Sequence, residues 1–219
     1  MSIAIDIHVL PSAPDGKVPR SPARVSASEA GPASKRTVTT YGFWIFLLSD
    51  IVMFSALFAA YRVLVNATAG GPGGAELFSR GGVAIETACL LASSYTCALM
   101  VLAMNSRRTV AFHSAALATF VLGATFLVLE LREFTDMVAR GATPQSSAFL
   151  SSFFALAGCH GLHVAVGLVW LSVMVVQVTL RGFPAVVERR LLCFSLFWHA
   201  LDIIWVALFT FVYLMGVRA

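Results

Sequence analysis

The sequence predicts an all-α membrane protein, a bundle of five transmembrane helices. Three observations predict it. Of 219 residues, 58% are hydrophobic and only 12% charged, about half the charged share of a soluble domain. Five apolar stretches each reach the about 20 residues that a helix needs to cross a bilayer. Turn-forming segments separate them. Barrel strands are excluded, because the apolar runs are too long and do not alternate.

Residues 1–40 come first. They hold Asp6, Asp15, Lys17, Arg20, Arg24, Glu29, Lys35 and Arg36, with Pro11, Pro14, Pro19, Pro22 and Pro32. Such a segment cannot bury enough apolar surface to offset chain ordering, so it reads as a disordered tail. It lacks the basic start and apolar run of a secretory signal.

The spans follow at 41–65, 84–104, 110–131, 148–180 and 190–216. The first, YGFWIFLLSDIVMFSALFAAYRVLV, is interrupted only by Asp50 and Arg62, and NATAGGPGG at 66–74 turns the chain. The second ends at the basic turn NSRR, 105–108. The third ends before GATPQS, and the fourth before RGFP, both punctuated by glycine and proline. The fourth is long, so it tilts or extends into water. Residues 41–219 thus form the transmembrane domain.

Basic residues predict the orientation. Lys17, Arg20, Arg24, Lys35, Arg36, Arg107, Arg108, Arg181, Arg189 and Arg190 fall on the amino-terminal side. Arg80, Arg140 and Arg218 fall on the other, with Arg62 and Arg132 at helix ends. Such asymmetry places the amino terminus in the cytoplasm and the carboxyl terminus outside. The net charge of +4 belongs to loops and points to no nucleic acid. Cys89, Cys97, Cys159 and Cys193 lie in apolar runs without zinc-ligand spacing and read as small buried hydrophobes.

Ionisable residues within the spans carry the functional signal, since each costs about 2.5–3.5 kcal/mol at a helix centre. They are Asp50, Glu86, Glu130, His160, His163, His199 and Asp202. At about 1.5 Å per residue, Asp50, His160, His163, His199 and Asp202 share one layer. Glu86 and Glu130 fall nearer the outer surface. His160 and His163 are three residues apart, as are His199 and Asp202, so each pair shares a helix face. Three readings stand for the histidines. One is an interhelical hydrogen-bond network locking the first, fourth and fifth helices. The second is haem or metal ligation. The third is a proton or ion pathway. No nucleophile–base arrangement and no phosphate loop is present, so no catalytic residue is assigned.

Longer motifs narrow the choice. GFWIFLLSD (42–50), LFAAYRVLVNATAGGP (57–72), IETACLLASS (85–94), FLSSFFALAGCHGLHVAVGLVW (149–170) and LCFSLFWHALDIIWVALFTFVYLMG (192–216) resemble subunit III of the cytochrome o (bo-type) ubiquinol oxidases. The likeness covers 41–217, and HGLHV and FWHALDIIW mark the haem–copper oxidase subunit III family. Five spans and Asp50 fit the quinol-oxidising branch. Relatives that oxidise cytochrome c typically have seven spans and a glutamate at the position of Asp50. The tail does not match.

The resemblance implies a complex that oxidises ubiquinol, reduces O₂ to water and pumps protons. Its two haems, its copper and its ubiquinone site belong to subunit I. This subunit would bind no redox centre and no metal. It would support subunit I, contact subunits II and IV and hold phospholipid, in a bacterial cytoplasmic (inner) membrane. Asp50 matches a buried carboxylate linked to proton uptake in the cytochrome c branch, but is shorter. Two alternatives stand: a cytochrome c oxidase subunit III that has lost two helices, and an independent di-histidine membrane cytochrome.

Overall fold

The computed structural model of the protein describes residues 35–70 and 80–214. Its elements are α1 (Lys35–Leu64), α2 (Arg80–Asn105), α3 (Thr109–Ala139), α4 (Ala148–Arg181) and α5 (Ala185–Leu208). A π-helical turn, Phe209–Leu214, continues α5. All five helices are long and apolar enough to cross a membrane, and no strand occurs among the described residues. The tail up to residue 34 lies outside the described residues.

Three boundaries differ from expectation. α1 starts at Lys35, so 35–40 are helical and not part of a disordered tail. α3 runs to Ala139, past the expected end near 131. α5 starts at Ala185, directly after Pro184 at its N-cap. The cause is the same each time. Hydropathy marks where a helix leaves hydrocarbon, whereas backbone hydrogen bonds carry it on until a turn residue stops it.

Those stops are visible. Gly141 at φ +82° ends α3, with its N–H on Val138 and the Ala142 N–H on Met137. This is the Schellman pattern that glycine admits without strain. α2 ends the same way, but with Arg107 at φ +56°. Its N–H bonds to Met104, and the next, Arg108, bonds to Ala103. The Arg107 side chain is held from three directions. It donates to Phe183 O at 2.5 Å, pairs with Glu188 at 2.6 Å and lies over the Phe183 ring. Ser147 caps α4, accepting from the Leu150 N–H at 3.2 Å.

α2 and α3 form the most extensive helix pair; α4 packs against α1, α3 and α5. α5 also touches α1 and α2. The core is aromatic, with Trp198, Trp205, Phe54, Phe112, Phe126, Phe149, Phe153 and Phe194 fully enclosed. α1 is peripheral. Only 11% of its apolar window is buried, against 50% for α5. Its bare face presents Trp44, Ile45, Leu48 and Val52, which a bilayer or a partner must cover.

Candidate functional site

Trp198 is the hub of the bundle. Its indole passes so close to α3 and α4 that a Cβ at Gly123 would meet it at 2.9 Å and one at Gly167 at 2.8 Å. Only glycine admits this approach. The indole N–H donates to Ser93 Oγ on α2 at 3.0 Å. Two turns along α5, the Trp205 N–H donates to Thr87 Oγ1 at 3.1 Å. Two indole–hydroxyl bonds therefore tie α5 to α2. Thr96 and Thr119 bond at 2.8 Å between α2 and α3, and His113 meets Thr179 at 2.9 Å between α3 and α4.

The five-residue layer read from the sequence is arranged differently. Among the described residues, no hydrogen bond joins any two of Asp50, His160, His163, His199 and Asp202. His163 Nδ1 lies 2.7 Å from the Cys159 carbonyl of its own helix, to which its N–H donates. Asp50 on α1 is its electrostatic neighbour across the helix contact. His160 is fully buried and uses neither ring nitrogen. Its ring lies among Trp205, Phe126 and Phe54, with centroids at 5.2, 5.7 and 6.3 Å. Asp202 faces Ser94 of α2 and His199 of its own helix. Among the described residues these side chains stand in local pairs, Asp50 with His163 and Asp202 with His199, rather than in one hydrogen-bonded network. The i, i+3 spacing gave each pair a shared face, but the nearest partners proved to be a backbone carbonyl, aromatic rings and a serine.

Between α1 and α5 runs a groove of about 560 Å³. Trp44, Ile51 and Phe58 form one wall, and Leu196, His199 and Ala207 the other. It is apolar apart from His199 and Ser55.

Glu86 and Glu130 are enclosed by the bundle. Each is only 2% exposed, and both meet Glu133, a residue the sequence reading passed over. Tyr213 on the π-helical turn donates to Glu133 Oε2 at 3.1 Å. The spacing of Glu130 and Glu133 was a usable signal. Hydropathy alone ends the third span near 131, two residues short of Glu133.

Among the described residues, no group of three His, Cys, Asp or Glu has the geometry to hold a metal ion. Cys97 and Cys193 are buried, Cys89 and Cys159 half-buried, and all four are free thiols.

The family profile described as cytochrome c oxidase subunit III matches residues 29–217. The chain belongs to the cytochrome c oxidase subunit III family. Within this family it is similar to the cytochrome bo(3) ubiquinol oxidase subunit 3 of Pseudomonas aeruginosa, 48% identical over 81% of this chain and 85% of the relative. It is 43% identical to the quinol oxidase subunit 3 of Bacillus subtilis, over 80% of this chain and 86% of the relative. A third relative, from Buchnera aphidicola of Baizongia pistaciae, is again a cytochrome bo(3) ubiquinol oxidase subunit 3, 43% identical over 80% of this chain and 90% of the relative. The five spans make this family member a multi-pass membrane protein.

Proposed function

We propose that this chain is the third, non-catalytic subunit of a proton-pumping ubiquinol oxidase, and that it assembles with and steadies subunit I. The observation that carries this reading is the likeness, over four-fifths of the chain, to relatives named as quinol oxidase subunits. The fold is consistent with such work. The bundle is knit internally by α2–α5 indole bonds, while α1 leaves a long apolar face for neighbours. The residues present do not suit a haem of this subunit's own: His160 is walled in by aromatic rings, and the His163 N–H is spent on its helix. The complex's two haems, copper and ubiquinone site then fall to subunit I, with subunits II and IV as further partners.

Phospholipid is a second expected partner. The groove between α1 and α5 has apolar walls suited to an acyl chain and a volume within the usual range for ligand sites. Loop charge supports an amino terminus in the cytoplasm and a carboxyl terminus in the periplasm.

The test is to tag this chain, extract it gently from its membrane and identify what co-elutes. A larger haem-bearing subunit is expected, with no haem absorption once this chain is separated from it. Elution of the chain alone, or a haem band that stays with it, overturns the proposal.

A further inference from the structure

Four titratable side chains converge at the end of the bundle that carries the 140–147 loop. They are Glu86 from α2, Glu130 and Glu133 from α3, and Tyr213 from the π-helical turn. Each of the three carboxyls is an electrostatic neighbour of at least one other, and Tyr213 neighbours all three. Carboxylates gathered in a buried site disfavour ionising together, because like charges repel and burial penalises each charge.

Glu130 adds a separate observation. It is 2% exposed, and neither of its oxygens accepts a hydrogen bond among the described residues. Glu86 Oε2 and Glu133 Oε1 are likewise buried without a partner. α4 makes room for the Glu130 carboxyl. A Cβ at Gly161 would stand 2.7 Å from its Oε2 and 3.2 Å from its Cδ. So a buried, unbonded carboxyl group sits in a pocket that only a glycine leaves open, with Glu86 and Glu133 as its electrostatic neighbours.

A route to water adjoins it. A cleft of about 200 Å³ is lined by Glu86 and Glu133 together with the exposed Arg132, Asp136 and Arg140. Glu130 itself does not reach the cleft wall. The groups facing the cluster are therefore Arg132, Asp136 and Arg140 from α3, across the cleft. On α4, His160 turns its ring to Phe54, Phe126 and Trp205. On α5, the Trp205 N–H is committed to Thr87. Arg132 and Arg140 line the same cleft as Glu86 and Glu133.

We propose that Glu86, Glu130, Glu133 and Tyr213 form a proton-binding site that exchanges with water at the membrane face bearing the 140–147 loop. A proton leaves a hydronium ion in the cleft, which becomes water, and binds Glu86 or Glu133. Passed inward, it rests on Glu130. No electron moves and no bond other than O–H is made or broken. The site is independent of whether the surrounding complex oxidises quinol or cytochrome c.

The test is infrared spectroscopy of the native membrane assembly in lipid discs, in H₂O and after transfer to D₂O, with Glu130→Gln and Glu133→Gln alongside. The expected result is a protonated-carboxyl C=O band that shifts to lower frequency in D₂O and is reduced in each variant. If one variant fails to assemble, the other carries the comparison. Intact intensity of that band in an assembled variant means the carboxyls are ionised, and overturns the site. A band that never responds to D₂O means a sealed structural group, and overturns it equally.

Discussion

The Trp198 indole rests on the bare α-carbon of Gly167, so closely that a methyl group there would come within 2.8 Å of Cζ3. Gly123 faces the same indole from α3 at 2.9 Å. A helix interface in a membrane gains little from the hydrophobic effect, since lipid is as apolar as leucine, and depends on close packing and interhelical hydrogen bonds. Trp198 supplies both.

Gly167→Ala should therefore destabilise the bundle by about 1–3 kcal/mol through overpacking. In a Trp198→Phe background the same change should cost less, because the six-membered part of the indole that it strikes is gone. Thermal unfolding of the two single variants and the double variant in detergent checks this. Additive losses would mean that the two residues do not press on one another.

Ser93→Ala leaves the buried Trp198 N–H without its acceptor. The expected cost is about 1–3 kcal/mol. Indole fluorescence and the melting temperature should move together. An unchanged melting temperature would show that the α2–α5 bond contributes nothing net.

His160→Leu should be tolerated within about 1.5 kcal/mol, as the imidazole makes no hydrogen bond and is replaced by an apolar group of similar volume. The complex should keep its haem spectrum. Loss of a haem band in this variant would restore the ligation reading that the aromatic cage argues against.

Gly161→Ala should strike the Glu130 carboxyl. Combining it with Glu130→Ala should relieve the clash, with a coupling of about 0.5 kcal/mol or more in a double-mutant cycle. Zero coupling would mean that the carboxyl is not seated against this glycine in the membrane.

Arg107 holds a left-handed turn at φ +56° that its side chain fastens to Phe183 and Glu188. Arg107→Ala loses the fastening and keeps the unfavourable backbone, whereas Arg107→Gly loses the fastening but relieves the backbone. The alanine variant should be less stable than the glycine variant by about 1 kcal/mol, and melt at a lower temperature. Equal melting would show that the positive φ carries no cost here.

Hydropathy and turn residues made the five spans legible, because length and apolar content decide whether a helix crosses a bilayer. NSRR, GATPQS and RGFP all fall where helices end. The polar ends of α1, α3 and α5 were not legible by that route, since leaving the hydrocarbon does not stop a helix. Ionisable residues within the spans could be found one by one, but their partners could not. The His163 bond runs to its own backbone, and the Trp198 and Trp205 bonds run to α2 across about a hundred residues of chain. Trp–Ser and Trp–Thr pairs at such separations leave no local spacing to read. Glu133 was lost through a boundary alone. Had α3 been carried to Gly141, its spacing from Glu130 would have placed both carboxyls on one face.

The most direct test of the account is the electron donor of the native complex that contains this chain. Purified in its own lipid, it should consume O₂ with ubiquinol and not with reduced cytochrome c. Oxygen uptake driven by cytochrome c, with ubiquinol inert, would contradict the proposed placement in the quinol-oxidising branch.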